Sequence, residues 1–122
     1  MSKQILIADD APIIRLMLKD LITPLGYQVI AEASNGEEAV EKYKEFKPDL
    51  VTLDIIMPQK NGIQALAEIL AINPKAKVIM ITAIDQKEYL TNAIKTGASD
   101  YIVKPFEEER VRSVIRKALG DL

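Results

Sequence analysis

The sequence predicts an α/β fold, a parallel sheet of five strands doubly wound with helices. Two observations predict it. Short apolar runs occur at 5–8 (ILIA), 27–33 (YQVIAEA), 50–53 (LVTL), 78–81 (VIMI) and 101–103 (YIV), each bounded by polar or turn residues. Continuous runs of this kind are how strands buried on both faces read. After each run comes a segment whose apolar residues repeat at helical spacing, and regular strand–helix alternation implies right-handed crossovers and parallel strands.

In chain order, strand 1 (5–8) leads into a helix over 11–22, with Ile13, Ile14, Met17, Leu18, Leu21 and Ile22 as its apolar positions. Asp10 is placed to cap it, and Pro12 suits a first turn. Strand 2 (27–33) includes Gln28 and Glu32, as a less covered edge strand would. Helix 2 opens at Asn35 with Glu38 three positions on, a capping-box spacing, and sets Ala39, Val40, Tyr43 and Phe46 on one side. Its charged stretch EEAVEKYKEFK reads as a solvated face, with Glu38 and Lys42 spaced to pair. After strand 3 (50–53), helix 3 (62–72) turns Ile63, Leu66, Ile69 and Leu70 inward. Strand 4 (78–81) is followed by helix 4 (86–96), which stops at Gly97. There Tyr89 and Leu90 are adjacent, so only one of them can enter the core. Strand 5 (101–103) precedes helix 5, whose Glu107–Glu109 start and Arg116–Lys117 end both suit the helix dipole. Val111, Val114, Ile115, Ala118 and Leu119 form its apolar face. The result is a flavodoxin-like (βα)5 unit with expected strand order 2-1-3-4-5 and one domain over residues 1–122.

Composition narrows the chemistry. The 122 residues include no Cys and no His, which removes disulfides, thiolate zinc sites, His-ligated metals, Ser-His-Asp triads and phosphohistidine on this chain. Sixteen Lys+Arg against 18 Asp+Glu give a net charge of −2, so no general nucleic-acid binding is expected. The N-terminus MSKQILIADD reads as neither signal peptide nor membrane span, and the expected compartment is the cytoplasm. Carboxylates, hydroxyls, lysines and a hard metal ion remain.

In such a sheet, ligands bind beyond the carboxyl ends of the strands. Those ends carry Asp9 and Asp10, Asp54, Thr82 and Ala83, and Lys104 with Pro105. Taken singly, Asp10 is an ordinary cap, Asp54 a strand terminator, Thr82 a strand former bonding nearby backbone, and Lys104 a surface lysine. Together they are harder to dismiss. Three carboxylates on one rim repel each other unless a cation compensates them, and Mg²⁺ typically takes one or two carboxylates while keeping waters. A metal, a lysine and a hydroxyl around a carboxylate suit phosphoryl transfer, with the central Asp54 as the best nucleophile.

Asp9-Asp10, Asp54 with Met57-Pro58 and Gly62, Thr82-Ala83 and Lys104-Pro105-Phe106 together resemble the motif set of response-regulator receiver domains, in order and spacing over the whole chain. Within that family the stretch AEASNGEEAVEKYKEFKPDLVTLDIIMP is most similar to stand-alone chemotaxis regulators. The resemblance implies that Asp54 accepts phosphate from a histidine kinase. It implies that Mg²⁺, or Mn²⁺ in its place, is held by Asp10, Asp54 and the backbone carbonyl of Ile56, with Asp9 acting through water. Lys104, Thr82 and the Ala83 backbone would bind the phosphoryl group, and the bond before Pro105 would be cis. Thr82 and Tyr101 would act as the switch, altering the helix 4–strand 5–helix 5 face for an activation-dependent target such as a flagellar switch. Ile14 and Arg15 resemble the kinase-docking region. The expected molecule is a monomeric phospho-accepting switch and not an enzyme in the ordinary sense, assisting only its own phosphorylation and dephosphorylation.

Two positions depart from the family's usual polar residues: Ile56, two after Asp54, and Ile84, two after Thr82. They either simply pack at the rim or obstruct the water that hydrolyses the acyl phosphate, and they remove contacts a phosphatase partner would use. Among rival readings, a flavin or nucleotide module would need a Gly/Ser/Thr-rich loop where this chain has DDAPII. A haloacid-dehalogenase-type hydrolase would need an acid where Ile56 stands. Within the family, a phosphorelay intermediate or a receiver excised from a longer DNA-binding regulator is the alternative.

Overall fold

The computed structural model describes residues 2–121. Its elements, in chain order, are β1 (Gln4–Ala8), α1 (Pro12–Ile22), a 3-10 turn (Thr23–Leu25), β2 (Gln28–Ala33), α2 (Gly36–Phe46), β3 (Leu50–Leu53), α3 (Gly62–Ile72), β4 (Val78–Thr82), α4 (Lys87–Thr96), β5 (Asp100–Val103) and α5 (Glu108–Ala118). All four strand pairings are parallel, and the order is β2-β1-β3-β4-β5. The order reverses between β1 and β3, so the crevice at their carboxyl ends is the switch point of the sheet.

Strand residues divide by parity between two cores. Leu6, Ala8, Val51, Leu53, Val78 and Met80 meet Ala39, Val40 and Tyr43 of α2, Ala65, Leu66 and Ile69 of α3, and Ala93 of α4. Ile5, Ile7, Leu50, Ile79 and Ile81 meet Leu18, Leu21 and Ile22 of α1 and Val111, Val114 and Ile115 of α5. Side chains that alternate across a strand, with helices covering both faces, explain why β1, β3 and β4 read as unbroken apolar runs. β2 lies at an edge and is mostly half-buried, in keeping with its Gln28 and Glu32.

The helix ends differ in detail from the sequence reading. Asp10 does not cap α1: the N-cap position is Ala11, without a side-chain bond, and the carboxylate that accepts the Ala11 N–H at 2.9 Å is that of Asp9. At α2, Asn35 accepts the Glu38 N–H at 2.8 Å, while the Glu38 carboxylate takes the N–H of Ser34. The reciprocal capping box is instead at α3, between Asn61 and Gln64. In α1, Ile13, Leu16 and Met17 are exposed, because seven apolar residues in an 11-residue helix exceed the one stripe that the sheet can cover. Phe46, at the last position of α2, is likewise exposed. On α4, Leu90 is buried and Tyr89 faces outward.

Candidate functional site

Four strand ends deliver the polar residues to one rim. Asp9 follows β1, Asp54 follows β3, Thr82 is the last residue of β4 and Lys104 follows β5. Backbone bonds fix these positions: Asp9 N–H donates to Ala33 at 3.0 Å, Asp54 N–H to Ala8 at 3.0 Å, and Lys104 N–H to Thr82 at 2.8 Å. The sheet itself therefore sets the geometry of the site, and no flexible loop has to place these groups.

Carboxylate oxygens of Asp9, Asp10 and Asp54 lie within 4.8 Å of one another. Asp9 and Asp54 are buried and Asp10 is exposed. The Lys104 ammonium donates to Asp9 Oδ2 at 2.7 Å and to Asp54 Oδ2 at 3.0 Å. Burial disfavours its charge, but those hydrogen bonds and the two neighbouring negative charges outweigh that penalty and hold its pKa above the usual 10.5. Lys104 is thus cationic throughout the neutral range. The second oxygen of Asp54 accepts the Ile56 N–H at 3.2 Å, which fixes the carboxylate plane.

Thr82 is fully buried, its hydroxyl accepting the Ile84 N–H at 3.3 Å. Ala83 is exposed beside it. The Lys104–Pro105 peptide bond is cis. Ile56 is 58% exposed, whereas Ile84 is half-buried against the α2–α3 side of the core. Tyr101 is half-buried on β5, where with Leu90, Thr91 and Ile94 it lines a surface depression against α4.

Sequence reading missed the part played by Arg15. Its guanidinium donates to the backbone carbonyl of Asp9 at 2.6 Å and to Glu32 at 3.1 Å, clamping the β1 exit from α1. No local signal marks this, since it depends on where α1 lies. Arg15 is therefore occupied, and the exposed apolar residues of α1 are Ile13, Leu16 and Met17.

The donor set is all oxygen and anionic, which suits a hard divalent cation and no soft metal. A buried carboxylate with a fixed ammonium beside it can receive a phosphoryl group and hold its charge.

A family model described as "Response regulator receiver domain" matches residues 5–116. The chemotaxis protein CheY of Thermotoga maritima is 56% identical over 117 residues, 96% of this chain and 98% of the relative. That of Bacillus subtilis is 51% identical over 120 residues, 98% of this chain and 100% of the relative. A crystal structure of a CheX-CheY-BeF3-Mg complex from Borrelia burgdorferi superposes with a TM-score of 0.92 at 36% identity, over 94% of this chain and 87% of that one.

Proposed function

We propose that Asp54 of this chain, which belongs to the response-regulator receiver domain family, is the residue that accepts the phosphoryl group. The chain is a two-component receiver of the chemotaxis type, a signalling switch and not a conventional enzyme. The observation that carries the assignment to Asp54 is the Lys104 ammonium held between Asp54 and Asp9, which places a permanent positive charge where phosphoryl oxygens would gather.

A carboxylate oxygen of Asp54 attacks the phosphorus of a phosphohistidine on a histidine kinase. The O–P bond forms as the P–N bond breaks, and the departing imidazole takes up a proton from solvent. The donor imidazole is not among these 122 residues, which include no His. Lys104 pairs with one phosphoryl oxygen, and the Thr82 hydroxyl and the Ala83 backbone N–H serve the others. Asp10, Asp54 and the Ile56 carbonyl would hold Mg²⁺ or Mn²⁺, with Asp9 acting through water. When bound, the ion neutralises charge on the transferring group.

Phosphorylation draws the Thr82 hydroxyl away from Ile84 and lets Tyr101 turn inward, changing the surface formed by α4, β5 and α5. A dianionic group shifts such an equilibrium only through contacts that differ between the two states, and Thr82 supplies them. The changed face receives a target, a flagellar switch component being the partner that suits a chemotaxis regulator, and a CheX-type phosphatase would reverse the signal. The protein acts as a cytoplasmic monomer. Among the described residues no helix is long and apolar enough to cross a membrane.

Incubation with acetyl phosphate and Mg²⁺, followed by peptide mass spectrometry, tests the assignment. Phosphate is expected on Asp54 and absent from Asp54→Ala. Equal labelling of Asp54→Ala would refute it.

A further inference from the structure

Gly36 opens α2 with ordinary helical geometry, so its backbone does not require glycine, and glycine weakens a helix. Its reason lies in what touches it. A methyl at this position would stand 2.6 Å from the carbonyl carbon and 2.9 Å from the Cβ of Lys60, and closer still to the Lys60 carbonyl oxygen. The backbone of the β3–α3 loop is thus seated directly on the first turn of α2. Gly62 makes the matching approach at the loop's other end, where an added Cβ would lie 2.7 Å from the carbonyl carbon of Asp54 and 2.8 Å from Ile55 Cα. Residues 55–61, which include Ile56, are held between these two contacts.

The seat is itself rigid. Asn35 and Glu38 satisfy the N–H groups of Glu38 and Ser34, and Ala33, just before them, accepts the N–H of Asp9. On the loop side, the Lys60 ammonium pairs with Glu68, the Gly62 N–H donates to Ile55 at 2.8 Å, and Asn61 caps α3. The turn at Ser34–Gly36 therefore joins the backbone behind Asp9 to the loop behind Asp54.

The geometry points to Gly36 as a positioning residue for divalent-cation binding: its missing side chain lets the loop that carries the Ile56 carbonyl sit close beside the acid cluster, whose carboxylates are held by the strand ends. A methyl there would have to push the Lys60 carbonyl away by roughly 1.5 Å to regain ordinary contact. Loop 55–61 would move with it while the strands stayed in place. This inference rests on the reading that Asp9, Asp10 and Asp54 bind a divalent cation.

The test is a Mn²⁺ titration followed by the electron paramagnetic resonance of free Mn²⁺, on wild type, Gly36→Ala and Asp10→Asn. Far-UV circular dichroism and metal-free melting are recorded on the same samples. Wild type is expected to bind, Asp10→Asn to bind much less, and Gly36→Ala to bind about tenfold more weakly while still folded, the usual scale for disturbing groups that support a metal site. A purely structural glycine would lower the metal-free melting temperature and leave the affinity of the folded protein unchanged. Should Gly36→Ala not fold, Lys60→Gly releases the loop from the other side with α2 intact, and must also weaken binding. Wild-type affinity in whichever folded variant is measured overturns the role of Gly36. Wild type failing to bind, or Asp10→Asn binding equally, overturns the cation reading itself.

Discussion

Lys104 and Asp54, 50 positions apart in the chain, are joined by a 3.0 Å hydrogen bond between the carboxyl ends of β5 and β3, across the end of β4. The same ammonium holds Asp9 at 2.7 Å, so one cation compensates two buried acids. Removing one partner of a buried ion pair costs far more than the pair contributes, because a charge is left without its counterpart. Lys104→Met is therefore expected to lose about 3 kcal/mol of stability at neutral pH without divalent ions. Added Mg²⁺ should restore part of that loss, and phosphorylation by acetyl phosphate should be much slower. Urea denaturation with and without Mg²⁺ measures the first effect. Equal stability of variant and wild type in the chelated state would contradict the compensation described.

Ile56 and Ile84 flank the carboxylate and the hydroxyl with branched apolar groups, one exposed and one half-buried. Water must approach the acyl phosphate in line with the O–P bond, and apolar side chains there neither orient it nor accept its proton. The phosphorylated protein should consequently outlast an Ile56→Asn, Ile84→Glu variant by several-fold. Phosphate release after removal of the donor gives both rates. Identical decay would reduce both residues to rim packing.

The alternation of buried runs and amphipathic segments was legible because strands and helices have different periods, and the site was legible because that alternation implies parallel strands, whose carboxyl ends all reach one rim. Local pattern fails where tertiary placement decides. Asp9 and Asp10 are chemically identical neighbours, and only the turn out of β1 determines that Asp9 accepts the Ala11 N–H while Asp10 faces solvent. The apolar residues of α1 circle too much of the helix for the sequence to say that Ile13 and Met17 stay outside. Arg15 and Gly36 act on backbone atoms of Asp9 and Lys60, contacts that exist only once helices have docked on the sheet.

Tyr27 ties the end of the chain to the start of β2 through a 2.7 Å hydrogen bond to Asp121. Burial, then the hydrogen bond and the charge of Asp121, push its pKa up from 10.0 to about 12. The folded state therefore keeps the phenol proton at a pH where the unfolded chain has lost it. Stability from this group is complete below pH 10 and falls as the pH rises towards about 12. Lys104 adds to the decline on the same side, since its pKa is also raised. Tyr27→Phe removes only the tyrosine share, so its denaturation midpoint should fall less steeply across that window than wild type. Parallel curves would contradict the coupling.

Thr52 lies on β3 between Ile7 of β1 and Ile79 of β4, on the face that packs against α1 and α5. It is 1% exposed, and its hydroxyl has no hydrogen-bond partner. A buried hydroxyl without a partner loses its bonds to water and gains nothing in return. Valine has nearly the same shape and favours strands equally. Thr52→Val should stabilise the fold by about 1 kcal/mol, raising the melting temperature by roughly 4 °C. Because the Thr52 hydroxyl makes no hydrogen bond to the acid cluster, phosphorylation by acetyl phosphate should proceed at the wild-type rate. A lower melting temperature in Thr52→Val would mean that the hydroxyl does find a partner in solution, a buried water being the first to look for by nuclear magnetic resonance.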